Sequence, residues 1–194
     1  MLYCYLANMA NFSQTMIETL QKFLGKGYSI LFNVIGIISI FLQFMIFQMS
    51  NKRKIVFVGI MSDFGWLSYF VLQGDFISGT ANIIGIMSKI VILLQNKYRW
   101  ANGYGWNIFF VLFAVGFSLC TFKVWMDIFA IIACSLSILA YFMKDENNIR
   151  RIAFLSFCAF ACNSISKQYI VALVADITAL ISCFSALIRY KKQG

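Results

Sequence analysis

The chain has 194 residues, of which 61% are hydrophobic and 12% are charged, with a net charge of +9 and neither His nor Pro. A soluble domain is about 45–50% apolar, so this composition excludes an ordinary soluble protein. The basic residues stand in short clusters between apolar segments and not along one polar face, which argues against nucleic acid as a partner. The composition predicts an integral membrane protein, surrounded by the lipid bilayer.

The first 27 residues are expected to lie on the membrane surface. Phe12, Met16, Leu20, Phe23 and Leu24 form an apolar stripe at helical spacing, which is typical of an interfacial amphipathic helix. The segment lacks a basic start and a small-residue cleavage site, so a signal peptide is not expected. Residues 1–27 are therefore predicted to be an N-terminal interfacial segment.

Seven apolar segments follow along the chain, separated by polar turns that contain Asn, Gly or Asp. Most of them approach the roughly 20 residues that a helix needs to cross the hydrocarbon of a bilayer. They lie at about 28–49, 54–72, 76–96, 105–122, 126–143, 151–166 and 168–189. The sequence predicts an all-α membrane protein with seven transmembrane helices.

The distribution of Lys and Arg predicts which ends of these helices face the cytoplasm, because cytoplasmic loops collect basic residues. The other side of the membrane would hold only Lys22, Lys26, Lys123 and Lys167. The loops after the first, third and fifth segments, together with the C-terminus, hold Lys52, Arg53, Lys54, Lys97, Arg99, Lys144, Arg150, Arg151, Arg189, Lys191 and Lys192. We therefore expect the N-terminus outside and the C-terminus in the cytoplasm.

The chain contains an internal repeat. "NKRKIVF" at 51–57 matches "NIRRIAF" at 148–154, and "ANIIGIMSKIVILLQNK" at 81–97 matches "ADITALISCFSALIRYK" at 175–191. Each copy would hold three helices, and one helix between the copies returns the chain across the membrane. The pattern predicts two parallel three-helix repeats, 28–99 and 125–194, joined by a linker transmembrane helix within 100–124.

Two ionisable residues fall inside predicted helices, Asp63 in the second and Lys89 in the third. Counted from Lys54 and from Lys97, both lie roughly 13 Å deep at 1.5 Å per residue. Burying either charge alone costs at least about 2.5–3.5 kcal/mol, so the two are predicted to pair. Three alternatives stay open: the pair fixes helix packing, the Lys89 side chain extends to the membrane interface instead, or both residues line a hydrated cavity for a polar solute or a proton.

Four further polar or aromatic residues occupy matching places in the two repeats. Asn82 aligns with Asp176, and Trp66 aligns with Asn163. An axis between the repeats would bring these positions to opposite walls of one central cavity. A Trp beside hydrogen-bonding groups suits a ring-shaped or sugar-like solute. Two alternatives stay open, namely that Trp66 belongs to an interfacial aromatic belt and that Asn163 makes a helix–helix hydrogen bond.

Three short motifs resemble those of the YgjV-like bacterial inner membrane proteins, a small family of unassigned function. They are "NKRK" at 51–54, "LQGDFISGTANIIGIMSKIVILLQNKYR" at 72–99 and "LIRYKK" at 187–192. The resemblance covers roughly 30–192 and implies a multi-pass protein of the bacterial inner membrane. The helix plan also resembles the SWEET and PQ-loop superfamily, whose third helices supply an Asn to the substrate site, which implies that role for Asn82. Asp176 departs from that pattern, and so does the absence of the prolines that those proteins use as hinges.

Other chemistry is not expected. Cys158 and Cys162 share a helix face, but two thiols without a His make a poor zinc site, so neither a metal nor a cofactor is predicted. No phosphate-binding loop or nucleophile motif is present, so we expect no enzyme. The residues leave open whether the protein is a monomer or a homo-oligomer.

The sequence thus favours a transporter that moves a small polar solute by alternating access between the two three-helix bundles. A non-transporting membrane scaffold or accessory subunit is the alternative. The residues predicted to bind the solute are Asp63, Trp66, Asn82, Lys89, Asn163 and Asp176.

Overall fold

The computed structural model describes residues 15, 18–19, 22, 25–73, 76–95, 97–120, 125–166 and 168–191. Most of the predicted surface helix at 12–24 lies outside these residues. The described residues form seven α-helices and no strand. The helices are α1 (Lys26–Gln48), α2 (Lys52–Gln73), α3 (Phe76–Leu94), α4 (Tyr104–Cys120), α5 (Asp127–Phe142), α6 (Glu146–Ser166) and α7 (Ile170–Lys191).

Each of the seven predicted segments corresponds to one helix, and two of the helices that begin earlier than predicted, α2 and α6, are capped by a side chain. The Asn51 Oδ1 accepts the Arg53 N–H at 2.8 Å at the start of α2. The Asp145 Oδ2 accepts the Asn148 N–H at 3.0 Å at the start of α6. Such caps satisfy backbone donors that have no partner within the helix, so the first turn is stable although it is polar.

The helices differ in how clearly they qualify as membrane spans by length and composition. Two stretches are long and apolar enough to cross a membrane, Lys52–Gln73 and Ile170–Tyr190. Four other helices carry shorter apolar stretches of 10–17 residues: Asn33–Gln48, Ser78–Leu94, Gly105–Leu119 and Asp127–Phe142. Helix α6 belongs to neither group, and polar and charged side chains interrupt the apolar sequence in its first half.

Apolar side chains cover the outside of the bundle, and polar side chains collect inside it. Ile30, Leu112 and Ile170 are 66%, 65% and 75% exposed. Lys89 and Asp176, by contrast, are 4% and 7% exposed. In water this distribution would be unfavourable, whereas in lipid the apolar surface is well solvated and polar groups must find partners within the protein.

Consecutive helices pack against each other, and the two ends of the chain meet. Helix α2 packs between α1 and α3, and α6 packs between α5 and α7. The two groups of three touch where α1 meets α7 and where α3 meets α5, while α4 lies against α3 and α5. One apolar core lies at the end of the bundle where α1, α3, α5 and α7 end and where α2 and α6 begin. We call this end of the bundle the basic end, because Lys and Arg residues cluster there.

Arg150 is buried at the basic end, where it connects three helices. Only 1% of its surface is exposed. Its Nε donates to the Phe47 carbonyl at 3.3 Å, and one terminal nitrogen donates to the Met49 carbonyl at 2.7 Å. The other terminal nitrogen donates to the Asn147 Oδ1 at 3.0 Å, and the guanidinium lies 4.2 Å from the Tyr190 ring centre. The guanidinium therefore satisfies the carbonyls at the end of α1.

The contact between α1 and α7 is held by hydrogen bonds as well as by packing. The Gln48 Nε2 donates to the Ser182 and Ser185 hydroxyls at 3.1 and 3.0 Å. The Ser182 hydroxyl donates to the Phe44 carbonyl, and the Tyr190 hydroxyl donates to the Gln48 carbonyl at 3.1 Å. These bonds join the first and last described helices.

Candidate functional site

A cavity of about 570 Å³ lies inside the bundle, and all seven helices contribute to its lining. Aromatic and small apolar side chains make up much of the wall. The hydrogen-bonding and charged groups in the lining are Gln43, Ser62, Asp63, Trp66, Ser78, Asn82, Lys89, Ser118, Asp127, Cys134, Ser137, Tyr141, Asn163, Ser164, Tyr169 and Asp176. A cavity of this size, in which polar groups alternate with aromatic and small apolar side chains, is large enough for a small molecule.

All six residues predicted from the sequence to bind a solute lie on the wall of this one cavity. They come from four helices: Asp63 and Trp66 from α2, Asn82 and Lys89 from α3, Asn163 from α6, and Asp176 from α7. The fold therefore brings together side chains that are up to 113 positions apart in the sequence. Their role in binding stays a prediction.

The predicted ion pair between Asp63 and Lys89 is present. The Lys89 Nζ lies 2.5 Å from the Asp63 Oδ2, and the two side chains are 5% and 15% exposed. The same ammonium lies 4.3 Å from the ring centre of Tyr141 on α5. The carboxylate and the aromatic ring together stabilise a buried positive charge. The pair also links α2 and α3 to α5.

Two glycines make room for this ion pair. A Cβ atom at Gly85 would lie 2.8 Å from the Asp63 Oδ2 and 3.8 Å from the Lys89 Nζ. A Cβ atom at Gly59 would lie 3.1 Å from the Lys89 Cε and 3.3 Å from the Tyr141 hydroxyl. The absence of side chains at these positions lets α2 and α3 approach closely enough for the charges to meet.

We expect Gly85→Ala to lower the free energy of unfolding by about 1–3 kcal/mol, because the new methyl group would displace the Asp63 carboxylate. The matched control is Gly116→Ala in α4, where no atom lies within 4 Å of the added Cβ. That control should stabilise the helix by about 0.5–1 kcal/mol. Thermal unfolding of both variants in detergent checks the prediction, and two equal melting temperatures would contradict it.

Trp66 is buried and bonded inside the bundle. Its Nε1 donates to the Gln43 Oε1 on α1 at 2.6 Å, and only 8% of the residue is exposed. Its ring lies 5.4 Å from that of Tyr69 and 5.8 Å from that of Phe70. An interfacial belt residue would face the lipid headgroups, so this environment favours the interpretation of Trp66 as a wall of the cavity.

Asn163 on α6 and Asp176 on α7 contribute oxygen acceptors to the lining of the cavity. The Ser164 hydroxyl donates to the Asp176 Oδ2 at 2.8 Å, and Asp176 is 7% exposed. The Asn163 Oδ1 is buried and finds no hydrogen-bond partner in the described structure, so it does not accept the helix–helix bond that the sequence left as an alternative. On α3, the Asn82 Nδ2 donates to the Ser78 carbonyl at 2.8 Å.

The sequence did not single out several polar residues of the cavity, among them Gln43, Asp127, Tyr141 and Ser164. Asp127 stands at the N-terminus of α5, where an acidic residue is an ordinary helix-start signal, but it is only 8% exposed. For Gln43, a polar amide within the first apolar segment was the signal that could have found it. Tyr141 gives no comparable signal, because a Tyr near a helix end is common in membrane proteins.

The comparisons with known proteins agree with the exposed apolar surface and buried polar groups of the bundle. Residues 30–194 match the family model Imp-YgjV, whose description is bacterial inner membrane protein. No curated protein and no solved structure matches the chain. The match begins within α1 and includes every helix that lines the cavity. The chain therefore belongs to the Imp-YgjV family of bacterial inner membrane proteins.

Proposed function

We propose that this protein carries a small polar solute across the inner membrane by alternating access. The observation that supports this function best is the cavity of about 570 Å³, whose polar groups come from both halves of the chain. Charged groups that line a cavity within a membrane protein are costly in a low dielectric, so packing alone does not account for them. Intramembrane ionisable groups that line a cavity usually serve a transported solute or ion.

The packing of the helices supports two equivalent halves, which in our proposal move against each other. The contacts of α1 with α2 and of α2 with α3 have counterparts in those of α5 with α6 and of α6 with α7. The contact of α1 with α7 likewise has a counterpart in that of α5 with α3. This is the pattern expected for two parallel three-helix repeats, with α4 as the linker, and all seven helices would span the membrane.

We propose that the basic end faces the cytoplasm. Arg53, Lys54, Lys97, Lys144 and Arg151 are exposed there or in the adjoining loops. Lys and Arg are retained on the cytoplasmic side during insertion, so the N-terminus would lie outside and the C-terminus inside. Because one chain lines the whole cavity, transport would not require a second copy. It needs no chemical step either, and we propose that the protein catalyses none.

The alternative, a non-transporting scaffold or accessory subunit, predicts a different environment for the same residues. In a scaffold, buried polar groups serve as packing contacts and are satisfied by one another. The Asn163 Oδ1 has no such partner in the described structure, and the cavity beside it is large enough for a solute. This observation favours transport.

Access of water to the cavity from both sides of the membrane tests the proposal. In a variant whose native cysteines are replaced by Ala, Asn163→Cys should react with a membrane-impermeant thiol reagent added to either side, because a carrier opens its site to each side in turn. Ile177→Cys, at a 45% exposed position on α7 that would face lipid, is the control and should react from neither side. Labelling of Asn163→Cys from one side only, or from none, would overturn alternating access.

A further inference from the structure

Two carboxylates that line the cavity, Asp63 and Asp176, differ in how their charge is balanced. Asp63 has the Lys89 ammonium at 2.5 Å, and this is the one ion pair formed among the described residues. Asp176 is also buried, at 7% exposed, but its carboxylate has one described donor, the Ser164 hydroxyl at 2.8 Å. A carboxylate offers about four acceptor positions and carries a full charge, so one neutral hydroxyl satisfies it only in part.

A second hydrogen-bond acceptor belongs to Asn163, which precedes Ser164, the donor to Asp176, in the sequence. Asn163, the neighbour of Ser164 on α6, turns its Oδ1 to a buried position that lacks a hydrogen-bond donor among the described residues. Buried acceptors in native proteins are nearly always satisfied, by protein, water or ligand. Asn163 and Asp176 line the same cavity, so a ligand that brings hydrogen-bond donors can satisfy both acceptors.

The surroundings of Lys89 give an example of how this cavity holds a positive charge. There an ammonium lies between the Asp63 carboxylate and the Tyr141 ring, 4.3 Å from the ring centre. In the repeat, Lys89 aligns with Cys183, which carries no positive charge, so α7 supplies no cation of its own at the matching position. Aromatic rings such as Phe160 also line the cavity and offer further faces for a cation.

We infer that the solute carries a protonated amine, which binds the Asp176 carboxylate together with the Asn163 Oδ1 and the Ser164 hydroxyl. This inference rests on the proposed function, because it takes the cavity to be the solute site. An organic ammonium fits better than a metal ion, since no group of three or more Cys, Asp or Glu side chains in the described structure is placed to hold a metal. It also supplies directed N–H donors for a neutral amide oxygen.

Three probes that differ in one terminal group test the charge of the solute. They are 3-amino-1-propanol, 1,3-propanediol and 3-hydroxypropionate, added to the purified protein at constant ionic strength while its melting temperature is measured. Binding to the folded state raises the melting temperature by mass action. We expect the amine to act at a concentration at least about tenfold below that of the diol, as a charge-assisted hydrogen bond would provide, and the acid to have no effect.

Substitutions of residues that line the cavity test where the amine binds. Asp176→Asn keeps an acceptor for the Ser164 hydroxyl but removes the charge, and should weaken amine binding about tenfold or more. Asn163→Asp adds a carboxylate and should strengthen it, a gain that impaired folding cannot imitate. Asp145→Asn makes the same substitution in an exposed loop as the matched control, and should bind the amine as the wild type does.

Equal responses to the amine and the diol, or an amine response unchanged in Asp176→Asn, would overturn the inference, and so would an equal shift by sodium ions alone. The cysteine-labelling experiment separates this failure from that of the proposed function. Labelling of Asn163→Cys from both sides without amine binding would mean that only the ligand class is wrong. Amine binding with labelling from one side would leave the ligand site standing and remove the transport proposal.

Discussion

Replacing Lys89 by Met is expected to lower the free energy of unfolding by about 3–5 kcal/mol, because breaking a buried ion pair leaves an uncompensated charge. The Asp63 side chain is 15% exposed and would lose the ammonium at 2.5 Å. No Lys or Arg other than Lys89 lines the described cavity wall. Chemical or thermal unfolding in detergent measures the loss.

Two further variants show whether this loss comes from the unpaired carboxylate. Lys144→Met removes an exposed cation and should change stability by less than about 0.5 kcal/mol. The double variant Asp63→Asn with Lys89→Met removes both charges and should regain most of the stability, since it no longer buries an unpaired charge. A double variant as unstable as Lys89→Met alone would contradict this account.

The same double variant also tests whether the pair has a role beyond packing. If the pair serves only packing, the stable double variant will bind solute as the wild type does.

Arg150→Leu is expected to lower the free energy of unfolding by about 3 kcal/mol. It leaves buried carbonyl groups without a hydrogen-bond donor, which costs roughly 1–3 kcal/mol for each carbonyl. Leu removes the cost of burying a guanidinium, but it leaves the carbonyls of Phe47 and Met49 without the donors at 3.3 and 2.7 Å. The contact with the Tyr190 ring is lost as well. Unfolding measurements in detergent check this value.

The neighbouring residue and a conservative change are the controls for Arg150. Arg151→Leu alters an exposed cation on the same helix and should have little effect on stability. Arg150→Lys keeps the charge but lacks the planar fork that reaches several acceptors at once, so its loss should be intermediate. Equal stability of Arg150→Leu and Arg151→Leu would show that the carbonyls at the end of α1 find other partners.

The sequence predicted the helices and the ion pair because both follow from the solvent. Lipid requires long apolar helices, so their number and approximate bounds can be read from composition and turn residues. It also penalises single charges, so Asp63 and Lys89 at similar depth were expected to pair, and they do. These arguments need only the depth of a residue in the membrane.

The sequence could not show which face of each helix turns inward. Arg53 and Arg150 occupy the same place in "NKRKIVF" and "NIRRIAF", and both were read as loop cations. Arg53 is exposed, whereas Arg150 is 1% exposed within α6. Their difference depends on the end of α1, which meets α6 and α7 but lies far away in the sequence. The amide of Gln43 within an apolar segment is a visible signal, but its bond to Trp66 depends on how α1 is rotated.

The bonds at the basic end bear on the order in which the chain assembles during synthesis. Arg150 follows Phe47 by 103 residues, and Tyr190 follows Gln48 by 142. The ribosome adds about 5–20 residues per second, so the end of α1 waits many seconds for these donors. Until then water or lipid headgroups must satisfy its carbonyls, which holds that end at the membrane surface. If α1 spans the membrane as proposed, it enters first but completes its packing last, and a chain truncated before α7 would leave that packing unfinished.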